Sequence, residues 1–466
     1  MYVEIPLERP DLFDDVLRAC STREPLGAYA TNERLNYLFV DGGAVCNLCA
    51  ARDGADAGES VARSVPLFDW HEREMRDTHG VELTGLPVSR ALFVRDGVVP
   101  PALTAEGEGV TIIVVGPVHA GIIEPGRFTF SSGGETVVHL DGQLSYSRRG
   151  VEAFLEGCDA FAAAPQMARV CGACSVARSW AYARAIETLA GVACDERTEW
   201  ARLIFAELER IYNHVFDLGS TAAGAGYGYG QTQGLAIKER VHRVCAAAGG
   251  HRFLFDAIVP GGVRIGALDA AGALRSDVAK LRSATAEFLD ALFGARSVVG
   301  RFEGAGRVPR ETARAFGAVG PARRASGAAI DMRAVLPYGA YRKLPPEVFS
   351  ETAGDVAARC RIKRAEIGAS FELIDRALAE FGTLPPPPPQ RFAAARGRIT
   401  TVTEGARGAE SVSVECDARG HLTRVHIISA SYRNWPLVLR AMEGNIVPDF
   451  PLVNKSFNLC YACADR

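Results

Sequence analysis

Apolar and polar positions change rhythm along this 466-residue chain. Residues 1 to about 105 carry short alternating runs, such as Leu35-Asn-Tyr-Leu-Phe-Val40 and Ala91-Leu-Phe-Val94, cut by Gly and Asp turns. A period of two predicts strands, and one amphipathic stretch near Asp11 to Cys20 predicts a helix beside them. In Trp70-His-Glu-Arg-Glu-Met-Arg-Asp-Thr-His-Gly80 the charges fall at helical spacing and Gly80 stands where a helix stops. An ordinary solvated helix accounts for that stretch equally well.

From Gly109 the pattern shifts to a strand over Val110 to Val115, a loop rich in Gly and Pro over Gly116 to Gly126, and two more strand-like runs ending near Ser145. Apolar residues then recur at three and four from Cys174 to about Leu218, and again over Leu235 to Phe255, Ala273 to Phe293 and Asp355 to Phe381. That period predicts a helix bundle. The stretch Gly224-Ala-Gly-Tyr-Gly-Tyr-Gly230 has no strand before it and no Gly-Lys-Ser/Thr after it, so close helix packing explains it better than a phosphate loop. Five prolines, Pro385 to Pro389, predict a stiff spacer, after which alternation returns near Arg398 to Val402, Ser411 to Val414 and Val425 to Ile428. The expected class is α+β: a small α+β domain over 1–105, then a predominantly helical bundle with flanking strands over 106–466.

Composition narrows the function classes. The chain is 48% hydrophobic and 23% charged with a formal charge of −3, which offers no electrostatic reason to expect nucleic acid or an anionic membrane surface as partner. Its apolar runs are too short to span a bilayer and its first residues lack a basic-then-apolar signal, so a cytoplasmic chain is expected. Twelve cysteines scattered over such a chain point to reduced thiols rather than a disulfide framework.

Two Cys-x-x-Cys pairs stand out: Cys171-Gly-Ala-Cys174, directly before a helical run, and Cys460-Tyr-Ala-Cys463 near the end. Four soft thiolates on one centre suit nickel, zinc or iron. Helix N-termini acidify nearby thiols toward the thiolate that a metal needs. A third pair, Cys46-Asn-Leu-Cys49, has no second pair close by and is expected to be packed cysteines. His214, His242 and His251 fall in helical patterns, where packing outweighs ligation.

Arg169-Val-Cys-Gly-Ala-Cys174 together with Cys460-Tyr-Ala-Cys-Ala-Asp-Arg466 resembles the large, catalytic subunit of the membrane-associated (group 4) nickel-iron hydrogenases, formate-hydrogenlyase type. Gly116 to Gly126, Tyr146 to Glu152, Glu207 to His214 and Pro448 to Leu452 look like stretches shared with the 49-kDa subunit of respiratory complex I. Trp70 to Gly80 looks like the signature of its 30-kDa subunit.

The resemblance implies that Cys171, Cys174, Cys460 and Cys463 hold nickel, with Cys174 and Cys463 also bridging to an iron that carries CO and cyanide. Cys460 or Cys171 is then the first proton acceptor, and Glu124, in Glu-Pro-Gly, matches the family's near-site carboxylate. Arg407 and Ser431 match the residues that flank the iron's cyanides, although alanine replaces the proline before each. Asp449 is expected to orient Arg407 or Lys455. Electrons require a partner, an iron-sulfur small subunit with a 4Fe-4S cluster, since this chain has no Cys-rich ferredoxin motif of its own. Membrane subunits related to antiporters and complex I, maturation proteins for nickel-iron insertion, H2 and protons complete the implied partners. The place implied is peripheral, on the inner face of the cell membrane.

Some features depart from the family. Asn458-Leu459 replaces the usual Asp-Pro before the third cysteine, within an Asn454 to Leu459 stretch that resembles nickel-free relatives. The sequence stops at Arg466, where related subunits are cleaved after metal insertion. His119 aligns with a quinone-loop histidine of the complex I relative, but Ile122 and Ile123 stand near that loop's second histidine. Two other functions stay open: a nickel-free, quinone-linked complex I homologue, and a structural protein with a zinc site of four cysteines.

Overall fold

The computed structural model describes residues 1–8, 11–52, 56–119, 123–264, 271–385 and 392–466. Most of the expected proline spacer, Pro386 to Pro389, and Ile122 of the Gly/Pro loop lie outside the described residues.

The N-terminal part is a four-stranded sheet, β1 (Tyr2–Pro6), β2 (Glu24–Ala30), β3 (Arg34–Asp41) and β4 (Ala44–Ala51), in the order β1-β4-β3-β2. β1 runs parallel to β4; the other pairs are antiparallel. Helices α1 (Leu12–Thr22) and α2 (Phe68–His79) cover one face, packing Val16, Phe68 and Met75 onto Tyr37, Phe39 and Leu48. Gly80 ends α2 at φ 63°, the left-handed position that glycine takes without strain. β3 and β4 are buried on both faces. The second face packs Leu26, Leu38 and Val40 onto Val402, Ala409 and Ile428 from the far end of the chain. Cys46 and Cys49 lie three apart on β4 and therefore point to opposite faces, so one metal cannot collect both. Ala91 to Val94 forms no strand. The backbone N–H groups of Leu92 and Phe93 go instead to Asp77 Oδ2, at 2.6 and 3.2 Å.

A second antiparallel sheet follows: β5 (Val110–Val115), β6 (Arg127–Gly133) and β7 (Thr136–Gln143). Next come α3 (Ser175–Leu189), the long α4 (Glu196–Gly224), α5 (Gly228–Gly249), α6 (Ala271–Gly294) and α7 (Val356–Phe381). Asp195 and Asp355 begin α4 and α7 as caps, each accepting the backbone N–H three residues on. A third antiparallel sheet, β8 (Gly397–Gly405), β9 (Gly408–Cys416) and β10 (Leu422–Ile428), leads to α8 (Ala430–Ala441) and α9 (Phe450–Phe457).

α5 starts earlier than its apolar period suggests, because the glycines near its start are contact surfaces, and it ends earlier because Gly250 takes the left-handed cap position at φ 82°. Gly219 of α4 and Gly234 of α5 meet so closely that a Cβ on Gly234 would lie 3.1 Å from the Gly219 Cα. At Gly224 a Cβ would sit 2.8 Å from the Leu452 Cα, so α4 and α9 touch backbone to backbone just ahead of Cys460. Gly224→Ala is therefore expected to cost about 1–3 kcal/mol, the usual range for overpacking. Gly228→Ala, with nothing within 4 Å, should be neutral. Thermal melts of the two variants check the contrast.

Candidate metal centre

The first cysteine pair sits in a tight turn ahead of α3, with Cys174 N–H bonded to Cys171 O at 3.2 Å and Cys174 at the helix cap position. α4 grips this turn. Glu209 accepts the N–H groups of Val176 and Ala177 at 2.6 and 3.1 Å, supplying the partners that a helix start lacks. Tyr212 Oη donates to Gly172 O at 2.8 Å, and Asn213 Nδ2 to Ala173 O at 2.8 Å. Burial outweighs these bonds at Glu209 and pushes its carboxyl up to about 7.

The second pair follows α9, which Asn458 ends in the left-handed region at φ 49°, a conformation asparagine tolerates better than most residues. Cys460 N–H donates to Ser431 Oγ at 3.0 Å, and Trp435 Nε1 donates to Cys460 O at 3.3 Å. Arg149 ties the two pairs together: its Nη2 donates to Val170 O, just before Cys171, and to Ala462 O, just before Cys463, each at 2.7 Å. The last residue is held as well. Arg466 reaches Glu74 of α2 at 2.8 and 2.9 Å and Glu152 at 2.7 Å.

These supports bring together sulfurs that lie 289 residues apart. Cys171 Sγ and Cys460 Sγ are 2.9 Å apart, well beyond a disulfide bond of about 2.05 Å, and all four cysteines are free. The Cys171, Cys460 and Cys463 sulfurs lie within 4.8 Å of one another, and Cys174 adjoins Cys171 and Cys463. Cys174 and Cys463 are fully buried, while Cys460 is half-buried. Hydrogen bonds from the other three thiols pull the Cys463 thiol well below its usual range, with Arg178 adding to the effect. Hydrogen bonding to Cys171 and Cys463, together with burial, pushes Cys174 and Cys460 well up. A donor set of four clustered sulfurs with one stabilised thiolate fits a soft metal ion.

Arg407, at the turn between β8 and β9, is fully enclosed. Its Nε donates to Asn458 O and its Nη1 to Asn213 Oδ1 at 2.8 Å, and its Nη2 lies 3.5 Å from Asp217 Oδ1. Ser431 is buried with its hydroxyl at the Cys460 amide. Asp449 does not take the place expected of it, because Arg301 claims it at 2.5 Å. The carboxylate at Arg407 is Asp217, which also binds Lys363 at 2.7 Å and accepts from Asn458 Nδ2. Asn458, the departure before the third cysteine, is thus built into the support of the site. Glu124 is half-buried on the loop before β6, where its charge is felt by Tyr461 and by Asp465. His119 is tied to Gly126 O at 2.6 Å. His214 pairs with Glu366 at 2.9 Å, His242 binds Arg252 O at 2.7 Å, and His251 stacks on Phe255.

Two residues at the sulfurs were not legible in the sequence. Arg178 Nη2 lies 3.2 Å from Cys463 Sγ and 2.8 Å from Glu410 Oε2. Arg178 stands four residues after Cys174, hence on the same helix face, a signal that spacing could have supplied. Glu410 on β9 has no such signal. Burial pushes its carboxyl up to about 7.

Similarity to known proteins agrees with this arrangement. The model of the respiratory-chain NADH dehydrogenase 49 Kd subunit matches residues 230–387 and 388–466, and that of the 30 Kd subunit matches 34–105. The chain is 31% identical to formate hydrogenlyase subunit 5 of Escherichia coli (strain K12), over 87% of this chain and 76% of that protein. It is 28% identical to hydrogenase-4 component G of the same strain, over 88% and 77%. Membrane-bound hydrogenase subunit alpha of Pyrococcus furiosus is 30% identical, over 76% and 87%.

Two outcomes test the centre. Arg149→Ala should leave the fold intact but weaken retention of nickel or zinc about tenfold or more, measured by elemental analysis after dialysis. Metal binding should also tighten steeply with pH. Cys174 and Cys460 are both pushed well above the usual thiol range and each must lose its proton to bind, so apparent affinity should rise at least about a hundredfold per unit between pH 6 and 8. Calorimetry in buffers of different ionisation enthalpy counts the released protons.

Proposed function

The chain belongs to the family that joins the 30- and 49-kDa subunits of respiratory NADH dehydrogenase with the large subunits of membrane-associated, formate-hydrogenlyase-type hydrogenases, oxidoreductases all, and on that premise we propose that it is the catalytic subunit of a nickel-iron hydrogenase. The observation that carries this reading is the convergence of four free cysteines, two from mid-chain and two from its last residues, into one largely buried cluster. Cys171, Cys174, Cys460 and Cys463 would hold nickel, with Cys174 and Cys463 shared with an iron bearing CO and cyanide. When bound, that pair of metals supplies the chemistry that interconverts H2 with protons and electrons.

The protein's own part is to hold the sulfurs, exclude water and move the proton. Cys460 is the candidate first base because it is the least buried of the four. From Cys460 the proton passes toward Glu124, beside Tyr461. Arg407, locked by Asn458, Asn213 and Asp217, is a cation of fixed direction at the rim of the cluster, and the Ser431 hydroxyl orients the Cys460 amide.

Among the described residues no helix is long and apolar enough to cross a membrane. The likeness to membrane-bound hydrogenase subunits supports a place at the cytoplasmic face of the cell membrane, reached through partner subunits: an iron-sulfur small subunit carrying a 4Fe-4S cluster, and membrane subunits related to antiporters and complex I. The similarity to the NADH dehydrogenase 49 Kd subunit leaves a nickel-free, quinone-linked homologue as the second reading.

Elemental analysis with infrared spectra decides between them. Nickel, iron and CO and cyanide bands are expected in the purified complex, whereas iron-free zinc or no metal would overturn the proposal. Cys463→Ser should abolish both nickel and H2/D+ exchange. Glu124→Gln should slow exchange about a hundredfold or more with nickel content unchanged; loss of nickel in that variant would remove Glu124 from the proton route.

A further inference from the structure

Two buried arginines face the sulfur cluster, and their hydrogen-bonding states differ. Arg407 uses all three guanidinium nitrogens within the protein, on Asn458, Asn213 and Asp217. Arg178 does not. Its Nη2 is shared between Cys463 Sγ at 3.2 Å and Glu410 Oε2 at 2.8 Å, whereas Nε and Nη1 have no acceptor among the described residues, although the side chain is fully buried. Buried donors left without acceptors are costly, and a native protein keeps them where something else fills the place.

The position is specific. Arg178 lies one turn into α3, its N–H bonded to Cys174 O at 3.1 Å, so the helix that presents Cys174 also aims this cation at Cys463. Cys463 is the sulfur that adjoins the other three. Glu410 comes from another layer, is itself held by the Ala430 N–H at 3.1 Å, and fixes the direction of the guanidinium.

We propose that Arg178 is a positioning residue of the metal centre: its guanidinium holds Cys463 as the shared thiolate, and its unpaired Nε and Nη1 donors receive an acceptor atom that arrives with the metals. The inference rests on the nickel-iron reading for the identity of that acceptor, but not for the hold on Cys463. A permanent charge at 3.2 Å lowers the electron donation of the sulfur, and a planar cation with spare N–H groups can serve sulfur and acceptor together.

The test compares wild type, Arg178→Gln and Arg178→Lys, each purified with its partner subunits from nickel-replete cells. The readouts are nickel retained after dialysis, the CO and cyanide stretching bands, and the thermal melt. Arg178→Gln is expected to retain nickel 10–100-fold less tightly, with the CO band moved to lower frequency as the sulfur donates more. Arg178→Lys keeps the charge without the fork, so it should recover most of the retention while at least one cyanide band stays displaced. Wild-type retention and unshifted bands in Arg178→Gln would overturn the proposal. A loss in Arg178→Lys as deep as in Arg178→Gln, at an unchanged melting temperature, would assign the effect to packing and overturn it too. If Arg178→Gln does not fold, Arg178→Lys decides alone: unshifted bands would overturn the proposal. If the wild type holds only zinc, the hydrogenase reading fails while Arg178 is still judged, by whether zinc retention drops in the variants.

Discussion

The grip of one helix on two distant loops supports the rest of the site. α4 is buried along nearly its whole length, and its polar residues are partnered rather than solvated. Glu209, Tyr212 and Asn213 hold the first cysteine turn, while Asn213 and Asp217 hold Arg407 and Asn458 ahead of the second. A carboxylate or guanidinium sealed from water is tolerable only with opposite charges and hydrogen bonds around it, and removing one partner of such a pair costs about 3–5 kcal/mol. The helix therefore has essentially one rotational setting in which all these groups are satisfied, and that setting brings the sulfurs together.

The same logic extends away from the sulfurs. Glu207 is met by Arg333 and Ser370, and Arg324 joins Glu366 to Glu404. Two segments that enter this network, α7 and β8, are thereby pinned against α4 without apolar contacts alone having to specify their register. A buried network of this kind resists sliding, which suits a centre whose ligands must stay within tenths of an ångström.

The C-terminal segment shows how the N-terminal part takes a share in the site. Arg466 inserts its guanidinium between Glu74 and Glu152 and lies over the Tyr432 ring, so the α2 helix and the short helix Val151–Leu155 both hold the segment that carries Cys460 and Cys463. Because the second face of the N-terminal sheet also packs onto β8 and β10, the two parts share a core. The Trp70 to Gly80 stretch, which spacing alone allows as a solvated helix, turns out to bury Glu72 and Glu74.

Much of the fold was legible in the chain. The period of three and four marked α6 and α7 closely but shifted α5 and ran α3 and α4 together; the β5 strand matched its apolar run, and Gly80 and Asp355 acted as helix punctuation, because these features depend on local backbone chemistry. The cysteine pairs were legible for the same reason: two thiols at a spacing of three in a turn announce themselves. What local chemistry cannot contain is which groups meet after three hundred residues of chain. Asp449 was expected to orient Arg407 or Lys455, but it pairs with Arg301, and Asp217 is the carboxylate at Arg407; Glu410 carried no sequence signal at all, and Arg178 carried only its spacing from Cys174. Tertiary packing alone decides these pairings, since a buried charge takes the partner the fold brings within about 3 Å rather than the one its motif suggests.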